Sequence, residues 1–368
     1  MIDALVTDAP DWSDDDLEDA FCARFGATMV QYDDDAIEDT VNPDDFVQAL
    51  LSAIDQRLHQ TDAAVLQRLL TVVARVLPFP LSESARGLVG EHLRTDGARG
   101  RALTGPVLWT HDAYGCRWAV VAPFSSADGP DRWYLWDVDA CGYDVVTVDS
   151  GFHPSADDAL DAWREAVGHA AAGAALTPAH DPETLDDLLP SDLEETRLGG
   201  ENQAQYAEFL RCRRLGQTAR EATNLGGRGT SVRLTADEAK ERFAERLRRL
   251  GYHDRPAGDG PDEGPAGADE LATEMANFWS PQFHPTLYPA CSPHKVALTV
   301  LFLRDFFKGD YAAELVAVLP EWIRFLAEQN GTASDLTERC LEYASGDLQF
   351  PGILDAQGQS NAMARVAE

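Results

Sequence analysis

The spacing of apolar residues divides the chain into stretches of helical period and one stretch of strand period. In residues 1–100, Leu17, Phe21 and Phe25 share a helical face behind Ser13, a cap with Asp16 three residues on. Phe46, Ala49, Leu50, Ala53, Ile54 and Leu58 form a second stripe. Asn42 and Pro43 start that helix, and Asp44 and Asp45 complement the positive end of its dipole. A third run, from Ala63 to Leu77, is apolar nearly all round, which predicts a central helix stopped by Pro78 and Pro80.

Between Gly105 and Ser150 the period shortens. Val107–Trp109, Arg117–Val121, Trp133–Trp136 and Asp144–Val148 are rich in aromatic and β-branched residues and are separated by short polar breaks, so four successive antiparallel strands are predicted. Ser155 and Asp158 then cap a helix whose Ala159, Leu160, Trp163 and Val167 can cover one face of that sheet.

Further on, a Pro- and Asp-rich linker leads to a helix at Asn202–Leu215, a glycine-rich loop, a strand-like Ser231–Leu234, and a helix opened by the capping box of Thr235 and Glu238. Arg255–Gly267 has no periodicity and reads as a domain boundary. The run from His294 to Phe307 is almost entirely apolar, a buried helix. The stripe from Tyr311 to Leu326 is interrupted by Pro320, and Ser334 opens a last helix.

The fold class expected from this pattern is α+β and predominantly helical: a four-stranded antiparallel meander with a covering helix, between helical N- and C-terminal regions. The expected units are an acidic helical domain (1–100), the α+β unit (101–175), a linker and basic helical connector (176–253), a flexible linker (254–269), a C-terminal helical domain (270–346) and a polar tail (347–368).

At 368 residues and 44% apolar, the chain is long enough for two or three cores. No apolar run reaches the ~20 residues that cross a bilayer, and the first residues lack the basic start and apolar stretch of a leader, so the expected location is the cytoplasm. The six cysteines lie at wide, irregular spacings, which makes buried free thiols the expectation.

Charge alters this picture most. The formal net charge is −33, a field that repels nucleic acid and anionic lipid. It is unevenly spread: residues 1–55 hold 16 acids against Arg24 alone, whereas residues 211–250 hold 11 bases against five acids. One reading is an acidic face, Asp14, Asp15, Asp16, Asp33, Asp34 and Asp35, that captures a basic partner protein. The second contact surface would then be Arg211, Arg213, Arg214, Arg228, Arg246, Arg248 and Arg249. Residues 211–250 are also the one route to direct nucleic-acid binding. The other reading is that the basic segment docks on the acidic one within the chain.

Candidate chemistry is sparse. His284, Cys291 and His294 lie close together, and Cys-x-x-His can place two ligands on one metal. Cys116 and Cys141 could pair with His111 or His153 as a nucleophile and base. The dipeptides His111-Asp112, His180-Asp181 and His253-Asp254 fall in turns and linkers. Trp133 and Trp136 must face opposite sides of a strand, so Trp109, Trp133 and Trp136 are candidates for an exposed aromatic surface. No nucleotide-binding or hydrolase signature sits in a suitable context, and no cofactor is expected. The sequence therefore favours a non-enzymatic, cytoplasmic regulatory protein acting through protein contacts, an inhibitor or immunity-type role for a basic partner included. The alternative is a hydrolase or transferase, metal-dependent or not, with a site between the α+β unit and the C-terminal helices.

Overall fold

The computed structural model describes residues 1–8, 11–35, 43–60, 64–93, 101–126, 129–140, 145–189, 197–198, 202–224, 234–253, 266–279, 290–307 and 309–346. Five helices open the chain: α1 (Ile2–Asp8), α2 (Asp14–Asp35), α3 (Pro43–Gln60), α4 (Ala64–Val76) and α5 (Leu81–Leu93). The strands β1 (Leu108–His111), β2 (Arg117–Phe124), β3 (Arg132–Asp139) and β4 (Val146–His153) follow, then α6 (Ala156–Val167), β5 (Thr177–Pro178), α7 (Pro182–Leu188) and β6 (Arg197–Leu198). The remainder is helical: α8 (Gln203–Asn224), α9 (Ala236–Arg249), α10 (Ala268–Trp279), α11 (Pro293–Phe306), α12 (Gly309–Asn330) and α13 (Ser334–Ala344).

The fold is α+β and predominantly helical. Its antiparallel sheet has five strands rather than four, because the two-residue β5 pairs with β1, and the equally short β6 adds a parallel edge beside β4, giving the order β5-β1-β2-β3-β4-β6. The local start signals act as their chemistry requires. Ser155 accepts from the Asp158 amide, Thr235 and Glu238 form a reciprocal capping box, and Ser292 accepts from the Lys295 amide with Pro293 in the first turn.

In the N-terminal helices α4 is central, with Leu66, Leu69, Leu70, Val72, Val73 and Val76 all buried. The buried stripe of α3 is Val47, Leu50, Leu51 and Ile54, and Ala49 is exposed. This face is rotated from the expected one because α3 offers two overlapping apolar faces, and α4 and α5 select the bulkier. Pro320 lies inside the single helix α12 rather than splitting it.

Both faces of the sheet are covered. Arg117, Ala119, Val121, Leu135, Asp137 and Asp139 share one face by the two-residue period, and α6 packs its apolar part with Leu160, Trp163 and Val167. The other face carries Trp109, Trp118, Val120, Phe124, Tyr134 and Trp136 and is packed by α7 and α8 through Leu185, Leu188, Cys212 and Leu215. The helices of 176–253 are shared out: α8 lies along α2 and the sheet, whereas α9 joins α10, α11, α12 and α13 in the C-terminal core. The contact between α2 and α8 is close enough to need glycine, since a Cβ at Gly26 would lie 2.4 Å from the Gln203 carbonyl oxygen. Among the described residues no helix is long and apolar enough to cross a membrane.

Candidate functional site

The acidic first turn of α2 meets arginines of its own chain. Asp14 takes Arg68 at 3.1 Å and Arg75 at 3.2 Å, and Asp15 accepts from Arg101 at 2.6 Å and from the Ser126 hydroxyl. Glu18, 2% exposed, accepts from Arg101 Nε at 3.0 Å and faces Arg211, which also pairs with Asp19 and Glu208. Burial pushes Glu18 above the usual carboxylate range, and the two arginines pull it back. Asp16 serves as the capping partner of Ser13, accepting from its hydroxyl at 2.8 Å. Asp33, Asp34 and Asp35 end α2, and their side chains lie outside the described residues.

The expected basic surface divides into buried, half-buried and exposed arginines. Arg211 and Arg213 are buried, Arg213 reaching Asp44 at 3.3 Å. Arg214 is half-buried and its pKa is lowered, first by burial and then by Arg86. Arg246 pairs with Glu321 and Glu328, and Arg248 with Asp269; Arg249 is exposed, and Arg228 lies outside the described residues. The acidic and basic segments thus engage each other across α2 and α8.

The expected aromatic surface is corrected. Trp136 is fully buried and donates to the Cys212 carbonyl at 3.1 Å, Trp109 is buried against Trp118, and Trp133 packs beside α6. Parity does put Trp133 and Trp136 on opposite faces, but α7 and α8 cover the second one.

The richest buried chemistry lies at the seam between the β1–β2 hairpin and the start of α11. Asp112 has no exposed surface; its Oδ1 accepts from the Cys116 and Arg117 amides at 2.8 and 3.1 Å, and Oδ2 has no hydrogen-bond partner among the described residues. Burial raises its pKa to about 6, against those two amide hydrogen bonds. Arg117 makes a bidentate pair with Asp137 at 2.6 and 2.7 Å. His294 and Lys295 enter from the first turn of α11, facing Asp139, and burial lowers both. Lys295 Nζ has no hydrogen-bond partner among the described residues; its pKa falls to about 8, with the Cys291 thiol and Asp139 opposing the shift. The amine lies 5.4 Å from the centre of the Trp279 ring.

Cys291 is buried here beside Cys340, but the two do not join His294 in a ligand group among the described residues; His284, Cys141 and Asp254 lie outside those residues. Cys116 is disulfide-bonded, which corrects the expectation of a free thiol and removes it as a nucleophile, while Cys22, Cys212, Cys291 and Cys340 are free and buried. His111 Nδ1 donates to the Asp112 carbonyl, and His180 stacks by its edge against Trp109.

The C-terminal helices also present an apolar surface. Phe278 touches Phe306 and Phe307, Phe302 touches Phe306, and Phe307 touches Tyr311, a run of ring contacts in which Phe306 is 68% exposed. A groove of about 700 Å³ lies between α11, α12 and α13, lined by Ala312, Ala313, Val316 and Ala317 among others. Sequence reasoning passed over both, because Phe302 and Phe306 stand in a run that reads as core.

No known protein family, curated protein or solved structure matches this chain.

Proposed function

We propose that this chain is a non-enzymatic cytoplasmic binding protein acting through protein contacts, and that its contact surface is the aromatic ridge around Phe306. Phe306 carries this reading: it is 68% exposed and is flanked by the half-buried rings of Phe278 and Phe302, and a ring stays in water at an energetic cost unless another surface covers it. Four free, buried thiols support a reducing compartment, and the Cys116 disulfide pulls the other way. An acidic-face mechanism has less to work with, since Asp14 and Asp15 already hold arginines of the same chain.

The partner suited to this ridge presents apolar side chains, so capture should survive salt. The test is affinity capture from the source cells at low and high ionic strength, with the wild type and with Phe306→Asp. A stoichiometric protein retained at high salt and lost with Phe306→Asp supports the reading. A partner lost at high salt and indifferent to Phe306→Asp overturns it in favour of the charged surfaces, and no partner at either salt overturns it altogether.

A second reading, a hydrolase or transferase at the seam, is favoured by Lys295, a buried amine with a lowered pKa beside a carboxylate and a thiol. It predicts that a small aldehyde and borohydride trap Lys295 at mildly alkaline pH, since burial lowers the pKa of this amine. Modification confined to other amines would sink it.

A further inference from the structure

We propose that Asp55, His59 and His92 form a binding site for a divalent transition metal of the zinc class. Their ligand atoms all lie within 4.8 Å of one another. His92 Nε2 is 2.7 Å and His59 Nε2 3.5 Å from the same Asp55 Oδ1, and the two imidazole rings meet edge to face at 4.9 Å. Ligands at about 2.0–2.1 Å from a tetrahedral zinc ion stand roughly 3.4 Å apart. His59 and Asp55 already have that separation, the contact of His92 with Asp55 would open from 2.7 Å, and the ligand atoms of the two imidazoles, within 4.8 Å of each other, would settle toward it.

The supporting frame is helical. Asp55 and His59 are four residues apart on α3, which places them on one face one turn apart, and His92 comes from α5, which packs against α3. Both histidines are next to last in their helices. Two helix C-termini therefore converge on the cluster, and their unpaired carbonyls add to the negative potential that a cation would meet. Imidazole and carboxylate together select zinc, nickel, cobalt or iron over magnesium and calcium, which prefer oxygen alone. Three protein ligands, with the His59 side chain 60% exposed, leave a coordination position open to water or to a ligand on a partner molecule.

The bond changes are simple. Each imidazole gives the Nε2 lone pair to the metal, and a proton carried on that nitrogen moves to Nδ1 or leaves to solvent. The inference is independent of the Phe306 surface.

The test is calorimetric titration of the full chain with Zn²⁺, in on the order of millimolar Mg²⁺ to occupy ordinary surface carboxylates. The wild type is expected to take up one equivalent. His92→Ala, His59→Ala and Asp55→Asn should each weaken binding by at least about tenfold, with far-ultraviolet circular dichroism unchanged. The side chains of His59 and Asp55 are 60% and 30% exposed, so their variants are expected to fold; for His92, whose side chain is 11% exposed, His92→Gln, of similar size and polarity, serves if His92→Ala does not fold. Co²⁺ should give visible bands that vanish with His92→Gln. Uptake no tighter than in the His59→Ala/His92→Ala double variant would overturn the proposal and leave a His92–Asp55 hydrogen bond with His59 beside it.

Discussion

Two buried clusters of charge differ in how they are closed. Between α2 and α8, Glu18, Asp15 and Asp19 meet Arg101 and Arg211, and the arginines stack on the Phe152 ring at 5.1 and 5.5 Å. At the seam, Arg117 and Asp137 satisfy each other, whereas the Oδ2 of Asp112 and the amine of Lys295 are buried with no hydrogen-bond partner among the described residues. The first arrangement is a lock: desolvation is offset by geometry that fixes how one helix lies on the other. The second stores unfavourable energy in two groups that the surrounding packing holds in place. Where local charge is high in the sequence, ionisation is settled in the structure; where a single charge sits among apolar residues, it is not.

The largest expected effect tests the lock. Glu18→Ala removes the carboxylate between Arg101 and Arg211 and leaves both guanidinium groups short of a buried partner, which typically costs about 3–5 kcal/mol. Urea unfolding followed by circular dichroism would measure it. A loss below about 1 kcal/mol would mean that this network is no stronger than a surface pair, and the contrast with the seam would dissolve.

Much of the frame was legible because its signals are local. A serine or threonine followed three residues later by an acid marks helix starts at Ser155 and Thr235 regardless of what packs on the helix. The meander could be read from aromatic and β-branched runs for the same reason. What failed depends on residues distant in sequence. The tryptophan faces followed correctly from strand parity, but α7 and α8, which bury Trp136, come about fifty to eighty residues later. Helix α2 would look the same in sequence whether its acids faced solvent or arginines from elsewhere in the chain. The spacing of Asp55 and His59 is visible on one helix, yet nothing local brings His92 to them. Lys295 did leave a trace: it is one of only three lysines beside 27 arginines, and it stands in an otherwise apolar run.

A smaller and opposite effect is expected at the seam, and its pH dependence gives the sharper contrast. Lys295→Met keeps the length and apolar stem of the side chain and removes the ammonium, so at pH 7 it should stabilise the fold by about 3 kcal/mol, the free-energy equivalent of lowering a lysine pKa from 10.5 to about 8. The sign follows from the direction of that shift. A depressed pKa contributes stability that is present above the unfolded value and lost as pH falls through the folded one. The wild type should therefore approach the variant by pH 10.5 and fall behind it as pH drops toward 8. Asp112 acts on the acid side: its pKa is raised from 3.8 to about 6, so its contribution is complete below pH 4 and lost as pH rises through 6, in wild type and variant alike. Thermal unfolding of both proteins between pH 4 and pH 10.5 separates the two groups, because only the alkaline limb should differ. Should Lys295→Met destabilise the protein at pH 7, the amine is held by a favourable interaction, and the seam is closed in the same way as the contact between α2 and α8.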